Sequence, residues 1–294
     1  MKKGLKGELV RVNTEDDLEL QGFLVEPRKR TRTAVVYVHG WVGNFYENLF
    51  LNSIAKRLTG QGLAFLSCNN RGAGIVTEFV KSDKSNTKRI RIGGSLERFE
   101  DCIKDIRAYI DYLSSRGYDR IILKGHSLSC QKTTYYKYMT GDARVKGLIF
   151  LAPVDDVAVS KRLLGRRYLE SLKIAKKMVE EGNGDMPVPG WMQFYPLLSA
   201  STFLSVANPD SASARIFDCS GELKEIKEID CPVLAIFGSR DNYQHNPETQ
   251  LKLLNETAKD CTVFLIDGAN HWFAGSEENL SEHIGNWIKE HITK

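Results

Sequence analysis

The sequence lacks the features of a membrane or secreted protein. No apolar run approaches the roughly 20 residues that a membrane-spanning helix needs. The amino terminus opens with lysines, but the apolar stretch of a signal peptide does not follow them. We therefore expect no signal peptide and no membrane partner.

The six cysteines form no CxxC pair and have no metal-ligand spacing, so we expect no metal site. Most of them lie in or beside apolar runs, which is typical of reduced, buried thiols. Because disulfides are rare in the cytoplasm, this pattern favours a cytoplasmic protein. The cysteines are Cys68, Cys102, Cys130, Cys219, Cys231 and Cys261.

Strong charge is also absent. The chain has 41 Lys and Arg against 37 Asp and Glu, a net charge of +4, and it contains no recognisable nucleic-acid-binding module. We therefore expect no nucleic-acid partner. The 294 residues, 42% hydrophobic, are typical of one globular α/β domain with an insertion.

Short apolar runs alternate with helical patterns along the chain. This alternation predicts an α/β fold with a mostly parallel eight-stranded sheet flanked by helices. Helices are expected over about 45–58, from residue 95 to a stop at Gly117, and over about 277–291. The predicted strands cover residues 8–12, 18–25, 34–38, 63–68, 120–124, 145–151, 231–237 and 261–266.

One segment of about 75 residues has no strand pattern, and an insertion of that size is often a functional lid. The sequence predicts a core of residues 1–153 and 229–294, with a helical lid or cap at 154–228 inserted after the sixth strand.

The stretch "GHSLS" places Ser127 at a turn between a strand and a helix. Such a turn needs small residues two positions before and after the serine, and Gly125 and Ser129 meet that need. The pattern is that of a nucleophile elbow with its last glycine replaced. "HGWVG", after the strand at 34–38, predicts an oxyanion hole formed by the amides of Trp41 and Leu128.

A serine nucleophile needs a base, and His271 is the best of the six histidines because it follows the last strand. His39 and His126 belong to the two motifs. His283 and His291 are expected to pack or be solvated on the last helix, and His245 to be exposed.

The carboxylate that orients His271 should follow an earlier strand. Asp241 does so, and Asp155 and Asp156 are alternatives after the strand at 145–151. Asp260 and Asp267 are expected to serve turns. With Asp241, the order along the chain is serine, acid, histidine.

These motifs, with "NNRGAG", "GSRD" and "GANH", resemble the α/β-hydrolase superfamily over nearly the whole chain. The resemblance implies the catalytic triad Ser127, Asp241 and His271. Two positions depart from the pattern of the superfamily. Ser129 replaces the last glycine of the elbow, and the superfamily's D-x-x-G motif reads Asn70-Arg71-Gly72 here, so the resemblance implies less about that loop than about the triad. "GHSLSCQKT" and "MVEEGNGDMPVPGW" are similar to an esterase-like branch that includes fungal siderophore esterases.

The sequence therefore predicts a serine hydrolase, without a cofactor, that cleaves a small-molecule carboxylic ester through an acyl-enzyme. The same triad would serve a thioesterase, an amidase or a peptidase, and a non-catalytic binding protein of this fold is a further alternative. A monomer or a homodimer is expected.

Two basic segments follow strand ends, and they are either solvated faces or an electrostatic funnel for an anionic substrate. Arg166 and Arg167 are the candidate substrate contacts. Trp191, Phe194, Tyr195 and Phe203 are expected to line the acyl or alcohol pocket, or to pack in the core. The basic residues are Lys81, Lys84, Lys88, Arg89, Arg91, Lys161, Arg162, Arg166, Arg167, Lys173, Lys176 and Lys177.

Overall fold

The computed structural model describes residues 4–29, 31–82, 86–244 and 246–292. The strands are β1 (Glu8–Asn13), β2 (Glu19–Val25), β3 (Thr33–Val38), β4 (Ala64–Cys68), β5 (Glu78–Ser82), β6 (Thr87–Arg91), β7 (Arg120–His126), β8 (Val145–Leu151), β9 (Val233–Gly238) and β10 (Cys261–Ile266). The helices are α1 (Phe50–Gly60), α2 (Cys102–Ser115), α3 (Leu128–Thr140), α4 (Asp156–Leu164), α5 (Tyr168–Glu180), α6 (Ala200–Ala207), α7 (Lys224–Glu228), α8 (Pro247–Thr257) and α9 (Glu277–His291).

Eight strands form one sheet in the order β1-β2-β4-β3-β7-β8-β9-β10. β1 and β2 pair antiparallel, β2 joins β4 antiparallel, and the remaining pairs are parallel. Every residue of β3 is buried, as expected for a strand covered on both faces. The predicted mostly parallel eight-stranded sheet is confirmed.

Helices cover both faces of this sheet. On one face α1 and α9 bury apolar side chains that include Phe50, Ile54 and Trp287. On the other face α2, α3 and α8 do the same, with Ile106, Ile110 and other residues of the predicted face of α2 in the core. The burial of the strands on both sides explains why their sequences are continuous apolar runs.

Some element bounds differ from the sequence prediction. α1 begins at Phe50 because the Asn44 side chain accepts hydrogen bonds from the amides of Tyr46 and Glu47, which forms a turn instead of a helix. α2 begins at Cys102, after a 3-10 turn at Phe99–Asp101. The β5–β6 hairpin was not predicted because most of its residues are polar and exposed or half-buried.

The segment between β8 and β9 contains α4 to α7 and, over its whole described length, no named strand. It has its own apolar cluster, which includes Val157, Tyr168 and Phe203. Hydrogen bonds from Ser95 Oγ to the Pro196 carbonyl and from Thr202 Oγ1 to the Glu97 carbonyl join it to the rest of the chain. Its role as a lid stays a prediction.

Two absences expected from the sequence concern membranes and disulfides. Among the described residues, no helix combines the length and the apolar character that crossing a bilayer requires. All six cysteines are unpaired, and four of them are buried.

Candidate active site

Ser127 lies between β7 and α3 in a strained backbone conformation, with φ 55° and ψ −129°. Positive φ is unusual for a residue with a Cβ atom, and such strain is common at functional sites. A Cβ atom on Gly125 would overlap the backbone of Ser129, so only glycine fits there. The Ser127 side chain is half-buried and lies on the wall of a cavity.

The serine at position 129, unusual for the motif, has a structural role. Its hydroxyl donates a hydrogen bond to the His39 carbonyl at the end of β3. A Cβ atom on Gly40 would lie 3.0 Å from the His126 carbonyl oxygen and 3.1 Å from the Ser127 Cβ. The loop after β3 therefore packs directly against the elbow.

Asp241 follows β9 and His271 follows β10, so the parallel pairing of these strands brings the two residues to the same edge of the sheet. His271 Nδ1 and Asp241 Oδ2 are 2.7 Å apart. The side chain of Asp241 is fully buried, and that of His271 is 6% exposed. A buried carboxylate at this distance fixes the ring orientation and favours a proton on Nδ1, which leaves Nε2 free to accept one.

The two alternative acids are engaged elsewhere. Asp155 caps α4 by accepting from the Ala158 amide at 2.8 Å, and it also accepts from the Cys219 amide at 3.0 Å. Asp156 accepts from Gln131 Nε2 at 2.7 Å. Of the three candidate acids, Asp241 is the one that contacts His271.

His39 and His126 are buried and hydrogen-bond to backbone groups. His126 Nε2 lies 2.8 Å from the His271 carbonyl oxygen, and burial lowers the pKa of His126 well below its usual value. Burial, with the nearby charge of Lys132, lowers the pKa of His39 to about 3, and its Nε2 accepts from the Asn70 amide. Both rings are therefore neutral near pH 7.

The histidines of α9 pack against aromatic rings: His283 against Phe264 at 4.2 Å and His291 against Trp287 at 5.5 Å between ring centroids. His245 and Lys84, which were also singled out in the sequence, lie outside the described residues.

The backbone amides of Trp41 and Leu128 are both available to a ligand. Both residues line the cavity beside Ser127, and Leu128 is the first residue of α3. Neither backbone N–H donates to an acceptor within the described part of the chain. The Trp41 indole donates to the Gly94 carbonyl at 2.6 Å, which holds the loop in place.

The loop "NNRG" after β4 departs from the superfamily pattern, and the structure gives the reason. Arg71 is buried and makes ion pairs with Asp16, Asp101 and Asp105. The Asn70 side chain accepts from Lys132 Nζ at 3.0 Å. The residues of this loop therefore hold it against the core.

The cavity at the carboxyl edge of the sheet has a volume of about 300 Å³, and Ser127 and His271 share its wall. The helical insertion contributes Phe194 and Tyr195 to this wall, and their contact with a substrate stays a prediction. The lining consists of Gly40, Trp41, Gly43, Glu47, His126, Ser127, Leu128, Val154, Asp156, Val159, Ser160, Leu163, Phe194, Tyr195, Val206, Tyr243, His271 and Trp272.

Four side chains expected at the pocket do not line it. Arg166 is exposed to solvent. The Arg167 guanidinium lies 3.3 Å from the centroid of the Trp191 ring, so Arg167 and Trp191 stack on each other outside the cavity. Phe203 is fully buried and packs against Phe194 in the core of the insertion. None of these four residues lines the cavity, and Phe203 packs in the core, the alternative that the sequence left open; substrate contacts by Arg166, Arg167 and Trp191 stay predictions.

The basic segments also lie away from the cavity wall. Arg89 and Arg91, on the β5–β6 hairpin, pair with Glu78. On the insertion, Lys177 pairs with Glu181. No lysine or arginine within the described ranges lines the cavity.

Several cavity residues were not predicted from the sequence. They include Tyr243 and Trp272, and also Asp156, which was considered as an acid but not as a wall residue. Tyr243 lies two residues after Asp241, and Trp272 directly follows His271, so closeness to the candidate triad was an available signal. The rings of Tyr243 and His271 are 4.5 Å apart between centroids.

The sheet order and the position of the site define the class of protein, an α/β-hydrolase fold. The Est1E structure from Butyrivibrio proteoclasticus with bound ferulic acid is similar, with a TM-score of 0.70, 17% identity, and coverage of 97% of this chain and 100% of that chain. For carboxylesterase CesB from Bacillus subtilis, the TM-score is 0.57 at 15% identity, over 98% of this chain and 92% of that chain. An alpha-beta serine hydrolase homologue from Coxiella burnetii has a TM-score of 0.57 at 17% identity, over 98% and 99% of the two chains.

At these identities the similarity shows the fold, which is the α/β-hydrolase fold that the resemblance implied. The chain belongs to the family DUF1749, described as proteins of unknown function, whose sequence model matches residues 92–293. No curated protein matches the chain. The narrower resemblance to siderophore esterases stays a prediction.

Proposed function

We propose that this protein is a serine esterase that cleaves a small carboxylic ester through an acyl-enzyme intermediate. One observation carries the proposal: His271, whose Nδ1 lies 2.7 Å from Asp241, shares a cavity with the strained residue Ser127. Structures of the same fold that are named as an esterase or a carboxylesterase support the choice of an ester.

In the proposed mechanism, His271 Nε2 removes the proton of the Ser127 hydroxyl while Oγ attacks the ester carbonyl carbon. The carbonyl electrons move to oxygen, and the amides of Trp41 and Leu128 donate to this oxyanion. His271 then gives its proton to the alcohol oxygen as the ester bond breaks. Water, activated by His271 in the same way, releases the acid and restores Ser127.

Three features of the chain assist these steps. Asp241 stabilises the imidazolium that forms on His271, because its carboxylate is buried and close to Nδ1. The amides of Trp41 and Leu128 need no rearrangement, and one such donor is worth roughly 3–4 kcal/mol in enzymes that use it. The elbow holds the Ser127 side chain at the cavity instead of in the core.

The proposed substrate is a small molecule, because the cavity of about 300 Å³ does not admit a polymer chain along its length. Phe194 and Tyr195 contribute aromatic wall, which suits an apolar or aromatic part of the ester. The chemistry uses side chains and water alone, so no cofactor is proposed. In this proposal residues 154–228 act as the lid, because both Phe194 and Tyr195 belong to them.

A fluorophosphonate probe tests the proposal, because it phosphonylates a serine that has an activated hydroxyl. We expect the wild-type protein to be labelled on the peptide that contains Ser127 and the Ser127→Ala variant to remain unlabelled. Ser160→Ala is the matched control, since this buried serine lines the same cavity. Labelling of Ser127→Ala at the wild-type rate would contradict the proposal.

A further inference from the structure

The charged side chains on the cavity wall are acidic, although basic segments lie elsewhere on the same protein. Two acidic side chains line it, Asp156 and Glu47, and within the described part of the chain no lysine or arginine does. The proposed reaction needs neither acid, because Asp241 already pairs with His271. Their presence on the wall therefore calls for another role.

Asp156 is held in position by the protein. It lies at the start of α4, half-buried, and its Oδ2 accepts from Gln131 Nε2 at 2.7 Å. Gln131 is fixed in turn because the same nitrogen donates to the Val154 carbonyl at 2.9 Å. No described residue donates to Asp156 Oδ1, which leaves this oxygen available to a ligand.

The ionised form of Asp156 is disfavoured by its surroundings. Burial, together with the neighbouring carboxylate of Asp155, raises the pKa of Asp156 to about 8. A carboxyl in this state gains free energy when a cation binds beside it, because the cation stabilises the ionised form. A bound anion would meet the opposite effect.

Aromatic rings form much of the remaining wall. Trp41 and Tyr195 contact each other at 4.9 Å between ring centroids, and Tyr243 and Trp272 at 6.1 Å. The faces of tryptophan and tyrosine rings attract cations, an interaction worth about 0.5–2 kcal/mol. Aromatic cages are a recurrent way of binding quaternary ammonium ions.

The nearby cations of the insertion do not neutralise this site. Arg162 is exposed and donates to the Asn242 carbonyl at 3.0 Å. Arg167 lies over the Trp191 ring and pairs with Glu170 at 3.4 Å. The cation that would complement Asp156 is therefore not supplied by the described residues of the cavity wall.

We propose that the substrate ester carries a cationic ammonium group and that Asp156 is the residue that selects it. This inference rests on the proposed esterase function and names its substrate class. The ammonium group binds beside Asp156 within the aromatic wall while the ester carbonyl lies at Ser127. Glu47, exposed at the cavity wall, adds negative potential that favours the approach of a cation.

Three p-nitrophenyl esters of matched acyl length test the proposal at pH 8. Their acyl chains end in a trimethylammonium group, in its neutral isostere tert-butyl, or in a carboxylate. We expect the wild-type kcat/KM for the cationic ester to exceed that for the neutral ester about tenfold or more, after correction for spontaneous hydrolysis. The anionic ester should be the slowest. A second series with the charge in the alcohol part covers the other orientation.

The Asp156→Asn variant should bring the ratio of cationic to neutral kcat/KM close to one. Asp210→Asn is the matched control, because Asp210 is an exposed acid of the insertion that does not line the cavity. Its ratio should remain that of the wild type. Equal rates for the cationic and neutral esters in both wild-type series would overturn the proposal, as would an unchanged ratio in Asp156→Asn.

A binding measurement separates this inference from the esterase function. Calorimetry with the wild-type protein compares a non-hydrolysable alkyltrimethylammonium ion with its neutral tert-butyl analogue. Tighter binding of the cation, weakened in Asp156→Asn, supports the inference even if no ester is hydrolysed. Hydrolysis of the neutral ester without any preference for the cation, in rate or in binding, would overturn the inference and leave the esterase function standing.

Discussion

Replacing Asp241 with asparagine tests the arrangement of the candidate triad most sharply. The Asp241 carboxylate is fully buried, 2.7 Å from His271 Nδ1, and accepts a hydrogen bond from it. An asparagine of the same shape can instead present its NH₂ group to Nδ1, which places the proton of the ring on Nε2. His271 then cannot accept the proton of Ser127.

The expected loss is large for a change of one atom. In a well-studied triad the same substitution lowers kcat roughly 10⁴-fold, which corresponds to about 5.4 kcal/mol of activation free energy. We expect a loss of this order because the Asp241–His271 contact is as short and as buried as a triad requires. The assay is the steady-state hydrolysis of a neutral p-nitrophenyl ester, with the fold checked by circular dichroism.

Asp155→Asn is the matched control for this prediction. Asp155 lies in a comparable loop after a neighbouring strand, but it caps α4 and does not contact His271. Asparagine caps a helix about as well as aspartate, so Asp155→Asn should keep the cap of α4 and change kcat much less than Asp241→Asn. A large loss of kcat in Asp155→Asn together with wild-type activity in Asp241→Asn would refute the assignment of the acid.

Three further predictions follow from the structure. Gly125→Ala should lower the free energy of unfolding in urea by about 1–3 kcal/mol, because the added Cβ atom overlaps the backbone of the elbow. Wild-type stability of this variant would contradict the close packing there. Replacing Arg166 and Arg167 with glutamine should change kcat/KM by less than about twofold, and equally for neutral and anionic esters, because both side chains lie outside the cavity. A loss confined to the anionic ester would support the hypothesis of an electrostatic funnel. Burial raises the pKa of Asp156 from its usual value near 3.8 to about 8, so the folded state loses stability as pH rises between these two values, where the unfolded chain ionises more readily than the folded one. Asp156→Asn should therefore raise Tm relative to wild type by the equivalent of at least about 1 kcal/mol more at pH 8.5 than at pH 3.5, and equal differences at both pH values would contradict this.

The sequence predicted the sheet well because the strands are buried on both faces. Strands such as β3 and β9 are continuous apolar runs, and at six residues each they are too short for typical helices. The β5–β6 hairpin escaped prediction because most of its residues are polar and the two strands form a separate two-stranded sheet. The start of α1 depended on the side chain of Asn44, and a single capping or turn residue is a weak signal in a sequence.

The candidate triad was also predictable, since each of its members follows a strand of a parallel sheet. The structure brings Asp241 and His271 together and places Ser127 on the same cavity, although their catalytic roles stay predictions. The substrate contacts were not predictable in the same way. Whether a side chain of the insertion lines the cavity depends on how its helices pack. Tyr195 lines the cavity, whereas Trp191, four positions earlier, lies outside it under Arg167.

The central claim is that Ser127 forms an acyl-enzyme, and mass spectrometry of the protein quenched with acid during turnover tests it most directly. With a slowly deacylating p-nitrophenyl ester, the account predicts that the acyl mass appears on the intact protein and maps to the peptide containing Ser127. The adduct should be absent from Ser127→Ala and should decay once the ester is consumed. Continued hydrolysis with no acylated protein, or an acyl group on another residue at full turnover, would contradict the account.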